Sequence, residues 1–122
     1  LGCAAANASL DLLEAEPDKY LGFEARHRSR LEVLARHPGI RRVRLTGTIA
    51  AFDLVVSDQE GYLNPAGQVL RRLARERGVL VRPLGQVVYL LPPLCISDEQ
   101  LDQCYAVLQE ALDLLQEQEV TS

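Results

Sequence analysis

Apolar residues recur at helical spacing in four stretches of this chain, and four short apolar runs lie between them. Residues 2–15, GCAAANASLDLLEA, read as a helix rich in small side chains and halted by Pro17. Residues 18–36 read as a second helix, with Tyr20, Phe23, His27, Leu31 and Leu34 on one stripe and HPG (37–39) as its stop. Next come RVRL (42–45) and TIAAFDLVV (48–56), two strand-like runs flanking Thr46-Gly47, a two-residue hairpin loop. SDQEGY (57–62) reads as a turn or loop. A third helix opens at Asn64, a capping residue, followed by Pro65 in the first turn, and closes at Gly78. Its apolar face is Ala66, Val69, Leu70, Leu73 and Ala74.

VLVR (79–82) and QVVYLL (86–91) read as a second hairpin around Arg82-Pro83-Leu84-Gly85, with proline and glycine placed as a type I turn prefers them. Pro92-Pro93 ends it. The last helix has the fullest start signal: Ser97 and Gln100 form a capping box, and Ile96 with Leu101 a hydrophobic staple. Leu101, Cys104, Tyr105, Leu108, Leu112 and Leu115 then form one stripe. The element order is ααββαββα. It predicts an α+β fold, an antiparallel sheet built from two hairpins and covered by helices.

A length of 122 residues suits one domain with a real core. A chain that opens on Leu1 and holds no methionine reads as part of a longer protein. No apolar run reaches membrane-spanning length, so no membrane partner is expected. Net charge is −4, although twelve of the thirteen basic residues are arginine. The arginines gather at 26, 28 and 30, at 41, 42 and 44, and at 71, 72, 75 and 77. Acids surround the clusters, as in EARHRSRLE, so they read as solvated helix faces rather than a nucleic-acid surface. Three cysteines without a CxxC pair make no disulfide framework and fit a reducing, cytoplasmic setting. His27 and His37 have no metal-ligand spacing.

No phosphate loop, nucleophile elbow or HExxH motif is present. Cys104 falls on an apolar stripe and reads as core, Cys95 reads as packed, and His27 reads as a packing histidine with its polar atoms satisfied. These residues compose no catalytic machine, and none is assigned as catalytic, cofactor-binding or metal-binding. Arg82 is different: a lone charge in GVLVRPLGQVVYLLPP (78–93). A guanidinium among apolar neighbours needs a counter-charge. Alternation sets it with Leu80, opposite Val79 and Val81, at the end of its strand. It is either half of an internal ion pair, with Asp53 or Asp98 as partner, or the holder of an external anion through two parallel hydrogen bonds.

RLTGTIAAFDL, followed by LVRPLGQVVYLLPPLCISDEQLDQCYAVLQEAL, strongly resembles the C-terminal part of class III pyridoxal-phosphate aminotransferases, and within them the members serving biotin biosynthesis. The opening LGCAAANASLDLLE resembles the helix after that family's HGxTxxxNP segment. The resemblance implies the small C-terminal domain of a fold-type I enzyme over residues 17–122, with residues 1–16 as a helix packing on a large domain outside this chain. It implies that Arg82 binds the substrate carboxylate and that Tyr89 lies by the substrate pocket. It implies pyridoxal phosphate as cofactor, S-adenosylmethionine as amino donor, 8-amino-7-oxononanoate as the small carboxylic acid acceptor, and a cytoplasmic homodimer. The family's cofactor lysine, its pyridine-binding aspartate and its phosphate-binding threonine all precede the matched segment. Lys19 in EPDKYLGF does not resemble that lysine, so the chain alone is expected to be inactive. The competing expectation is a free-standing, non-catalytic binding module with the same α+β fold.

Overall fold

The computed structural model describes residues 1–55 and 64–121 of the 122. Five helices and three strands follow in the order α1 (Gly2–Ala15), α2 (Asp18–Leu21), α3 (Phe23–Leu34), β1 (Ile40–Thr46), β2 (Ile49–Leu54), α4 (Ala66–Glu76), β3 (Val87–Leu90) and α5 (Asp98–Thr121). The predicted loop at 57–62 and the end of the predicted second strand lie outside the described residues. The fold is α+β, with one antiparallel sheet in the order β1-β2-β3.

Two elements depart from the sequence reading. The helix expected over 18–36 is divided at Gly22, a poor helix former, and Tyr20 is exposed rather than on the buried stripe. Phe23, His27, Leu31 and Leu34 do form the buried face of α3. The second hairpin is half-built, because residues 79–82 form no strand. Only a single bridge, Leu84 to Val87, joins this segment to β3. Pro83 has no N–H to give a ladder, so pairing stops beside it. The alternation survives without the strand: Val79 and Val81 are buried while Leu80 is 65% exposed.

Both tight turns sit slightly later than expected. Thr46 pairs with Ile49, so the first loop is Gly47-Thr48, and the second is Gly85-Gln86. Gly47 (φ +57°) and Gly85 (φ +60°) each take the left-handed first position that a two-residue Gly-X hairpin loop requires.

One core joins all the layers. Phe52 and Leu54 of β2 and Val88 of β3 meet Leu70 of α4 and Leu108 and Leu112 of α5. The predicted start signals of α4 and α5 form as read. Asn64 Oδ1 accepts the Ala66 N–H at 2.8 Å. Ser97 Oγ accepts the Gln100 N–H, and the Ser97 N–H donates back to Gln100 Oε1, both at 3.1 Å. The arginines at 26 and 30 lash α3 to α5, through Asp98 (2.8 Å) and Asp102 (2.6 Å) respectively. By contrast, no residue of α1 is buried.

Candidate substrate groove

The segment entering β3, the chain leaving it and the first turns of α5 enclose an open groove of about 600 Å³. That size is typical of small-molecule sites. Arg82 and Tyr89 both line it, so the fold brings the two sequence-selected residues into one place. Alternation along 79–82 sends the two valines into the core and leaves Arg82 exposed at the groove. Tyr89 is half-buried, delivered by β3, where it pairs across the sheet with Ala51.

The electrostatics of the groove are simple. Arg82 is the single charged side chain among its described lining residues, and the rest are mostly apolar. Neither carboxylate considered as an internal partner is available. Asp53 accepts from Arg44 Nη1 at 2.9 Å and Arg42 Nη1 at 3.3 Å, and Asp98 holds Arg26 and Arg30. Among the described residues Arg82 makes no hydrogen bond or ion pair. A cation without a counter-ion on an apolar wall suits an anion that carries an apolar body.

Three residues were under-read in the sequence. Gln100, Gln103 and Cys104 also line the groove, and their i, i+3, i+4 spacing, which marks one helix face, was signal enough. Gln100 is committed to the capping box. Cys104, expected in the core, is half-buried at the groove wall, and burial pushes its thiol pKa up, away from nucleophile chemistry. Cys95, expected to be packed, is exposed, because the chain after Pro92-Pro93 runs along the surface.

His27 is the packing histidine the sequence suggested. It is fully buried, with Nδ1 2.6 Å from the Tyr105 hydroxyl and Nε2 2.9 Å from the Thr48 carbonyl. A carbonyl can only accept, so Nε2 carries the proton and Nδ1 accepts from the tyrosine O–H. Burial lowers the His27 pKa and so favours the neutral ring; the charges of Arg26 and Arg30 push the same way, against the pull of the Thr48 carbonyl.

Residues 1–112 match the class-III aminotransferase family, and the chain belongs to it. Among relatives, an adenosylmethionine-8-amino-7-oxononanoate aminotransferase of Synechococcus elongatus is 52% identical over 113 residues, covering 93% of this chain and 26% of that protein. The crystal structure of the enzyme of that name from Methanocaldococcus jannaschii superposes with a TM-score of 0.81 at 26% identity, covering 91% of this chain and 25% of the other. An omega-transferase structure from Vibrio fluvialis gives 0.84 at 28% identity, covering 99% and 30%. The chain spans about a quarter of the length of the curated relatives it matches.

Class-III aminotransferases are pyridoxal-phosphate enzymes. The groove does not fit a covalent anchor for that cofactor. Its described lining has no lysine, and Lys19, the one lysine of the sequence, is half-exposed and paired with Glu16 at 2.6 Å. The described lining offers one guanidinium, Arg82, beside a tyrosine and a largely apolar wall.

Proposed function

We propose that residues 17–122 are the small C-terminal domain of a fold-type I aminotransferase of biotin biosynthesis, and that residues 1–16 seat on its large domain. The enzyme moves an amino group from S-adenosylmethionine to 8-amino-7-oxononanoate, giving 7,8-diaminononanoate, and works as a cytoplasmic homodimer. The names and identities of the relatives support the reaction. The observation that carries the site is Arg82, which has no partner among the described residues, in a groove whose described lining holds no carboxylate. When bound, pyridoxal phosphate supplies the electron sink and the carrier for the amino group.

This chain's own part is binding and orientation. Arg82 grips the acid end of the acceptor by two parallel N–H donations, the apolar wall takes its hydrocarbon body, and Tyr89 borders the same space. Fixing the acid end and the hydrocarbon body of a long substrate sets its reacting carbonyl toward the chemistry without adding a catalytic group.

In the intact enzyme, Arg82→Ala is expected to lower kcat/KM for 8-amino-7-oxononanoate roughly tenfold to several hundredfold, and to change use of the amino donor far less. Arg82→Lys recovers part of this, because an ammonium keeps the charge but not the fork. Equal losses for both substrates would refute the clamp. The 122-residue chain alone is expected to form no covalent adduct with pyridoxal phosphate. Mass spectrometry after borohydride reduction checks this, and a stoichiometric adduct on Lys19 would contradict it.

A further inference from the structure

The segment leading from Arg82 into the Gly85-Gln86 turn is held from two sides. On one, the β2 residue Leu54 donates its N–H to Gln86 O at 2.8 Å, and the turn closes on itself through Leu84 N–H to Val87 O at 2.8 Å and Val87 N–H to Leu84 O at 3.0 Å. On the other side lies Gly67, buried in the first turn of α4. A Cβ at position 67 would fall 2.8 Å from Pro83 Cβ and would overlap the carbonyl oxygen of Gly85. The overlap is with backbone, which has no flexible end to swing away. Glycine is a poor helix former, so its presence inside α4 calls for a packing reason, and this contact is one.

We infer that Gly67 is a positioning residue for Arg82: its missing side chain lets the Arg82-Pro83-Leu84-Gly85 segment sit close against α4, and that seat sets where the guanidinium reaches into the groove. The inference rests on the reading of Arg82 as the carboxylate clamp. Which partner yields to an added methyl follows from the anchoring. Helix α4 is fixed by Leu70, Leu73 and Ala74 in the core, and its start by the Asn64 cap. The segment over residues 83–86 is only partly buried, with Leu84 exposed, and β2 reaches it through the single Leu54 N–H to Gln86 O bond, so this segment yields before the helix does. Arg82 precedes the contacting proline directly and moves with it. A bidentate grip tolerates little displacement, whereas a contact made elsewhere in the active site is untouched.

The test uses the intact enzyme, with calorimetric binding of 8-amino-7-oxononanoate, steady-state kinetics for both substrates and a thermal melt. Gly67→Ala is expected to weaken acid binding about tenfold, the loss of one arm of the clamp, with kcat and the KM for S-adenosylmethionine little changed. Pro83→Ala adds no volume and frees the same turn, and is expected to weaken acid binding about two- to fivefold. It decides the matter if Gly67→Ala fails to fold. Arg82→Ala is the control. If it leaves acid binding intact, the clamp reading falls and this inference with it. If Arg82→Ala weakens binding but folded Gly67→Ala does not, or weakens both substrates alike, the positioning role alone is overturned. If Gly67→Ala does not fold and Pro83→Ala binds the acid as tightly as wild type, the positioning role is overturned as well.

Discussion

Two arginine sites lie on or beside the same small sheet, and they have opposite fates. On β1, Arg42 and Arg44 converge on Asp53, a carboxylate only 3% exposed in the middle of the sheet. The strand distorts to allow it. The register with β2 slips between Arg41 and Arg44, and Arg42 takes a left-handed backbone (φ +51°) that a non-glycine residue avoids unless its surroundings enforce it. Next to β3, Arg82 has no such partner among the described residues and no such distortion. Among the described residues, the fold commits the buried Asp53 carboxylate to internal pairing and leaves Arg82 without a partner at the groove. Arginine content alone separates nothing here; the position of the acids does.

The contrast breaks most easily from the paired side. Replacing both Arg42 and Arg44 by alanine strands the Asp53 carboxylate. Stability should fall by about 2–3 kcal/mol in urea melts, less than the roughly 3–5 kcal/mol for a fully buried pair, because both guanidiniums are half-exposed and screened by water. A loss under about 0.5 kcal/mol would show that Asp53 does not depend on them, and the opposition between the two sites would lose one half.

A second buried polar group sharpens the same point without arginine. Tyr105→Phe removes the hydroxyl that satisfies His27 Nδ1 and should cost about 1–2 kcal/mol. The His27 pKa is lowered in the folded state, so the unfolded chain takes up a proton at a pH where the folded chain does not. His27 therefore stabilises the fold fully above about pH 6.5 and progressively less as pH falls toward its folded pKa. Urea midpoints at pH 7.5 and 5.5 should show this drop, and His27→Gln should shrink it. An unchanged drop would place its origin elsewhere.

The smallest effect is expected at the free site. Arg82→Ala in the 122-residue chain should change stability by no more than about 0.5 kcal/mol, since no charge among the described residues is left behind. A loss near that of the Arg42/Arg44 double variant would make Arg82 a structural residue and remove the contrast altogether.

What the sequence determined by itself is local. The capping box at Ser97, the cap at Asn64, the helical stripes of α3, α4 and α5 and the hairpin signal before Ile49 are short-range, since each joins residues within a turn or two of each other. Alternation likewise put Val79 and Val81 inside and Arg82 outside. Where two local rules competed, the sequence misjudged: Pro83 overruled the apolar run at 79–82, and Gly22 the helical stripe through Tyr20. Only the tertiary structure decided which carboxylates were taken. Asp53 and Asp98 stood open as partners for Arg82 until the β1 bulge turned Arg42 and Arg44 onto the first and α3 brought Arg26 and Arg30 to the second. Such pairings join residues up to 72 positions apart, as with Arg26 and Asp98, and no periodicity or spacing encodes a distance between separate elements. The groove is of the same kind. Its walls come from α5 and from both sides of the Gly85-Gln86 turn, and they meet because the core beneath them packs in one way.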